Sequence, residues 1–330
     1  MIDFRYHLVS LISVFLALAV GIILGAGPLQ GPLGDQLTEQ VDALRTERNT
    51  LRDELGDART SAEEQRRFID SAGDQLVAGS LEGKNVAIVE VDEVSDSSRK
   101  AVLDELEAAD GTVVAQERLS ASWTSADELT MRETVADGLR AKLPADAVDG
   151  AIDEDSGTAE LLAASLTVAL TDAGPEAGTF SDVALEQQHL LQQVGLVEQV
   201  AEPSAPADAI LLLSGGGKAT DDSQTTDADP KQTGMGALVA LAGTSAQVAG
   251  TSVVAGPTTQ DGDLVGSVRS DDELSGLVST VSGIEETTGQ IVVPLAIAAQ
   301  EAGTVDQYGF EDGATVLPPA VVNGATQADG

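Results

Sequence analysis

From Leu8 to Gly27 the chain carries no charge, and its polar side chains are confined to Ser10 and Ser13. About twenty apolar residues rising 1.5 Å each span about 30 Å, the thickness of a bilayer's hydrocarbon core. After a stretch rich in Gly and Pro, over 25–34, a polar segment begins in which apolar residues return every three or four positions. They are Leu37, Val41, Leu44, Leu51, Leu55, Ala58, Ala62, Ile69, Ala72 and Leu76, with Arg48 and Gln65 filling the two gaps. That alternation of four and three is the heptad rule. The pattern predicts a transmembrane helix within 1–34, a joint, and a parallel coiled coil over 35–78 that would reach on the order of 60 Å if continuous.

The first segment reads as a permanent anchor rather than a cleaved signal. Its head carries one firm side-chain cation, Arg5, its apolar run is long, and Leu24-Gly25-Ala26 fits an A-x-A cleavage site poorly. Arg5 and the amino terminus precede the helix, and the first charges behind it, Asp35, Glu39 and Asp42, are acidic. The positive-inside rule then predicts a single-pass protein with a cytoplasmic N-terminus and everything after Gly34 outside.

Both segments carry a pairing pattern. Ser13, Ala17, Gly21 and Gly25 recur every four residues, so one face of the membrane helix is small and lets a second backbone approach. With Val41 at heptad position a, the e positions 45, 52, 59 and 66 are all arginine, and two g positions are Glu47 and Glu54. In a parallel pair, g of one chain faces the following e of its partner, which predicts interchain pairs of Glu47 with Arg52 and Glu54 with Arg59. The expected seam is Leu37, Val41, Leu44, Leu51, Leu55, Ile69 and Leu76, and the expected assembly is a homodimer or higher oligomer in the membrane.

Behind the heptads the period changes. Short β-branched runs at 86–91, 112–116, 209–213 and 252–255 alternate with helical patterns at 96–109, 126–143, 158–171, 182–194 and 236–247. That alternation predicts an external α/β domain over 79–305 with a mainly parallel sheet. Over 290–302 Pro294 either kinks a helix or opens one after a short strand. From residue 306 to 330 the composition suggests a flexible tail.

Composition narrows the chemistry. Net charge is −38, and the excess of acid falls almost wholly after residue 78, which excludes nucleic acid and anionic lipid as expected partners. An acidic surface suits a high-salt or high-G+C host. There is no cysteine, which agrees with an exported protein without disulfides. Asp153-Glu-Asp155-Ser-Gly157 and Asp221-Asp222 could collect cations weakly but lack EF-hand spacing. Ser214-Gly-Gly-Gly-Lys218 follows a strand, yet has neither the four-residue gap nor the Ser/Thr of a Walker loop, so a plain Gly-rich loop is expected. Asp92-Glu93 stands where a dinucleotide fingerprint would put glycines. His7 and His189 are isolated, and no nucleophile, base and orienter stand together. The residues therefore predict no catalytic group, no cofactor and no enzyme.

FRYHLVSLISVFLALAVGIILG at the start, the heptads, Gly83-Lys-Asn-Val-Ala-Ile-Val89 and Tyr308-Gly309 together resemble the actinobacterial copper transporter family, MctB-like. The resemblance covers nearly the whole chain. It implies a cell-envelope protein of copper homeostasis, described for the family as a channel-forming protein that keeps internal copper low. It fixes no ligand residue. Copper prefers thiolate, thioether and imidazole, and this chain has no Cys, two His and an unclustered Met1, Met131 and Met235. Aromatic residues make up 2% of the chain, too few for the girdles of a barrel. Two expectations follow. One is a part in copper efflux or transport. The other is a non-enzymatic scaffold or ligand-binding protein that displays its α/β domain on a coiled-coil dimer.

Overall fold

The computed structural model describes residues 4–26, 30–217, 229–260 and 262–321. They divide into two compact units, Met1–Arg67 and Phe68–Gly330.

The first unit holds helix α1 (Phe4–Ala26) and most of helix α2 (Gln30–Val77). Within α1, Arg5–Gly25 is long and apolar enough to cross a membrane, and none of it is buried against the protein. Ser13 donates its hydroxyl to the Val9 carbonyl at 2.8 Å, so this polar group is satisfied inside its own helix, as lipid demands. Helix α2 opens at Gln30, inside the stretch expected to be a joint. Pro32 falls in its first turn, where a missing N–H removes no helical bond. The rest of the joint, 27–29, lies outside the described residues.

The second unit is an open seven-stranded sheet. Strands β1 (Asn85–Glu90), β2 (Thr112–Leu119), β3 (Val197–Ala201), β4 (Ala209–Leu213), β5 (Ser252–Ala255), β6 (Ser279–Val281) and β7 (Gln307–Tyr308) lie in the order β3-β2-β1-β4-β5-β6-β7. All neighbours are parallel except β3, which runs against β2. The central strands are apolar on both faces. Ala87, Val89, Ile210 and Leu212 enter one core, while Val86, Ile88, Leu211 and Leu213 enter the other. A continuous apolar run is what a strand covered on both sides requires.

Helices α3 (Asp96–Ala108) and α9 (Thr287–Glu301) cover the second core together with the end of α2. Helices α4 (Leu129–Arg140), α5 (Thr158–Thr171), α6 (Asp182–Gln193), α7 (Gly234–Ala249) and α8 (Leu264–Arg269) cover the first. Helix α5 is apolar all round because α4, α6 and α7 all pack on it. Helix α9 runs through Pro294 without a break, so the helix reading of that segment holds.

Several segments of this unit differ from the sequence expectation, among them the short helix α8, which no periodicity marks. Strand β3 is a polar edge strand, and β6 is three residues long, so neither shows the apolar run that marks the others. Residues 306–321, expected to belong to a tail, carry β7. Tyr308 there is wholly buried, and Thr315 returns to bridge it.

Candidate functional site

On α1, Ser13, Ala17, Gly21 and Gly25 are exposed, and nothing stands within 4 Å of the space beside Gly21 and Gly25. On α2, Leu37, Val41, Leu44, Leu51 and Leu55 are 43–64% exposed. Leu44, Leu51 and Leu55 line a shallow apolar groove with Glu47, Arg48 and Arg52. Among the described residues, Glu47, Arg52, Glu54 and Arg59 make no ion pair within their own chain, whereas Arg45 pairs with Asp42 at 3.2 Å. An isolated helix with a row of exposed leucines is marginal in water.

Ile69 is placed differently from the rest of the expected seam. It packs against the α/β domain's second core, as Val77 does, and a Cβ on Gly73 would lie 2.5 Å from Ile291 Cδ1. Nearby on α3, burial first, and then Asp74, Asp104 and Asp70, push the Glu105 carboxyl up. The heptads thus pass from an open face to the chain's own domain at about Ile69. Leu76, 51% exposed, borders a cleft with Leu295 and Val321.

The strand order reverses direction between β1 and β4, the place where open α/β sheets bind ligands at the strands' carboxyl ends. Here the chain fills that place itself. Asp92, behind β1, accepts from the Ser214 hydroxyl at 2.8 Å, from Gly217 N at 2.9 Å and from Gly215 N. The backbone N–H groups that would cradle a phosphate are spent on an internal carboxylate. A Cβ on Gly215 would collide with the Glu93 carbonyl, and Gly216 sits at φ +79°, so both glycines answer backbone needs. The plain-loop reading of Ser214–Gly217 is the one the geometry supports; Lys218 lies outside the described residues.

Beside that loop, Glu90 is buried at the end of β1. Its carboxylate accepts from Arg99 Nε and Nη2 and from Arg118 Nε and Nη2. Arg99 also donates to Asp96 at 2.6 Å and to the Val94 carbonyl at 3.2 Å. On β2, Glu117 points the other way into the first core. Burial pushes its carboxyl up to about 7, against a hydrogen bond from Gln199 that pulls it down. An unfolded glutamate titrates near 4.5. Between those two values the fold holds a proton that the unfolded chain releases. Stability from this group is therefore present below pH 4.5 and is lost as pH rises to 7, by ~3 kcal/mol. Glu117→Gln is expected to match the parent at pH 4 and exceed it by roughly that amount at pH 8. Chemical denaturation at both pH values checks this, and a pH-independent difference would refute it.

At the other end of the sheet, Arg269 ties β6 to β7. It donates to Thr280 Oγ1 at 2.7 Å and to the Tyr308 carbonyl at 2.6 Å, and pairs with Glu311 at 3.2 Å. Burial pushes the Tyr308 hydroxyl up to about 12, and that hydroxyl has no hydrogen-bond partner among the described residues. Arg132 is buried on α4. It donates to the carbonyls of Ser122, Ser125 and Gln232, pinning the loops beside α4. No sequence pattern marks these anchors, because their partners are backbone carbonyls, whose position no side-chain pattern reports, and side chains brought in by other elements.

Among the described residues no group of three or more His, Cys, Asp or Glu could hold a metal ion. His189 is exposed on α6, while Met131 and Met235 pack on the first core. Asp153 spends its carboxylate on Ser156 Oγ and Asp155 N, both at 2.9 Å, so the acidic run at 153–157 is a self-bonded turn. Asp221 and Asp222 lie outside the described residues.

A family model described as "Copper transport outer membrane protein, MctB" matches residues 1–319. The copper transporter MctB of Mycobacterium tuberculosis (strain ATCC 25618 / H37Rv) is 27% identical over 324 residues, covering 95% of this chain and 98% of that protein. The copper transporter MctB of Mycobacterium leprae (strain TN) is 25% identical over 328 residues, covering 96% and 99%.

Proposed function

The chain belongs to the MctB family of copper transport outer membrane proteins, and from that premise we propose that it serves copper transport and homeostasis as a membrane-anchored, parallel dimer. The observation that carries the copper part of this reading is the extent of the family match. It runs over residues 1–319 and so takes in anchor, heptads and α/β domain together.

In this reading α1 anchors each chain, with its N-terminus cytoplasmic and the α/β domain outside. The small face at Ser13, Ala17, Gly21 and Gly25 brings two anchors together. Two chains held in one membrane run parallel, so the exposed leucines of α2 close on their counterparts, and Glu47 and Glu54 meet Arg52 and Arg59. Copper is cargo here, and the protein works without catalysis. One membrane helix cannot enclose a passage, so any route through the membrane needs helices from several copies.

The donor set supports a second reading. With no thiolate and no clustered imidazole or thioether among the described residues, the α/β domain suits a scaffold or sensor of another ligand better than a copper store. Deleting the gene and measuring cell-associated copper after growth in copper-supplemented medium separates the two. Copper is expected to rise and to fall again when the intact gene is restored. Unchanged copper together with a leaky envelope would contradict the transport reading and favour the scaffold.

A further inference from the structure

Arg48 is the one charged residue at an a or d position of the α2 heptads. It stands between Leu44 and Leu51, and with them and Leu55 it lines the apolar groove. The heptad face is short. From Ile69 onward it belongs to the chain's own second core, and the layers just before that are Ala58, Ala62 and Gln65. The strongly apolar layers therefore run from Leu37 to Leu55, and Arg48 interrupts them near the middle.

The single chain makes little use of this guanidinium. Nη2 of Arg48 donates to Asn49 Oδ1 at 3.0 Å, a contact between exposed neighbours, and among the described residues Arg48 makes no ion pair. The groove is also self-complementary. It carries Glu47 and Arg52, which are each other's partners across a parallel pair. A second copy of this chain is the occupant whose charges fit it, as in the pairing proposed above, and the role of Arg48 rests on that pairing.

In two parallel helices an a side chain lies beside the preceding g residue of the partner, here Glu47, and each layer stays open to water at its sides. Arg48 can lay its methylene stem over the leucines and carry its guanidinium out to the partner's Glu47. The two arginines then leave the seam on opposite sides. In three helices the a positions converge on a closed axis. Three guanidinium groups would meet there, out of water and without acceptors, which is strongly unfavourable. With leucine at position 48 that penalty vanishes. The seam from 44 to 55 would then hold leucine at every a and d position, without the β-branched a residue that favours two strands. We propose that Arg48 limits the assembly to two chains, and that the chain gives up some stability of the seam for this selectivity.

The full chain in detergent, its mass followed by light scattering, tests this. The parent is expected to stay at two chains. Arg48→Leu is expected to raise the mass by about half, from two chains toward three. Arg48→Lys keeps a charge on a long stem and is expected to stay at two. Position 48 is exposed and lies in the unit Met1–Arg67, so both variants should keep the near-ultraviolet signal of the α/β domain. A strictly dimeric Arg48→Leu chain, or an Arg48→Lys chain that forms larger species as readily as Arg48→Leu, overturns the proposal. A monomeric parent would instead overturn the pairing on which it rests.

Discussion

The parent chain is expected to run as a dimer, and the full-length chain carrying Leu44→Asp and Leu51→Asp together as a monomer. In a single chain these leucines are 64% and 57% exposed. In a parallel pair each is covered by its counterpart, at about 1.5–3 kcal/mol for each side chain fully buried. Four leucines are lost per dimer, and aspartates meet in their place across a dry seam. The dissociation constant should rise by a factor of at least about 1,000. Both positions lie in the unit Met1–Arg67, so the α/β domain should keep its near-ultraviolet signal and its melting temperature. Light scattering on the detergent-solubilised proteins gives the answer. A variant that stays dimeric would show that the leucine row is not the contact.

The second large effect belongs to Glu90. Glu90→Ala removes the acceptor of four hydrogen bonds and leaves two guanidinium groups against the floor of a cleft. Breaking a buried ion pair from one side costs about 3–5 kcal/mol. Arg118 can swing into solvent and Arg99 keeps Asp96, so the loss should lie near the lower figure, about 3 kcal/mol. Glu90→Gln keeps the shape and some acceptors and should lose less. Denaturation followed through Trp123 measures both. A Glu90→Ala protein as stable as the parent would show that the two arginines do not depend on this carboxylate.

The elements most legible in the sequence are those whose environment is uniform along their length. Thr158–Thr171, Ala209–Leu213 and Ser252–Ala255 begin and end where the pattern puts them, because each is buried on nearly every side. Strand β6 was not legible. Ser279 and Thr280 are buried polar residues whose partners, Gln300, Gln307 and Arg269, come from distant segments. Strand β3 hid for the opposite reason, since an edge strand exposes Glu198 and Gln199 and loses the apolar run.

The heptads tell a similar story at Ile69. Periodicity states that a face is apolar but not what will cover it, and here the chain's own α9 covers the last turns. The Gly-rich loop shows the same limit. Three glycines in a row look like a phosphate cradle until Asp92, more than a hundred residues earlier in sequence, is seen to fill it.

Because the sequence contains no cysteine, engineered thiols read a parallel pair in register directly. Leu44→Cys or Leu51→Cys places one thiol on each chain at a d position, where counterparts in a parallel pair stand close enough to bridge. Thr46→Cys, on the outer face, serves as the control. Under mild oxidation in membranes, the two d-position variants are expected to give covalent dimers and the control to stay monomeric. Failure of both Leu44→Cys and Leu51→Cys to cross-link, or equal cross-linking by Thr46→Cys, would contradict the parallel pairing.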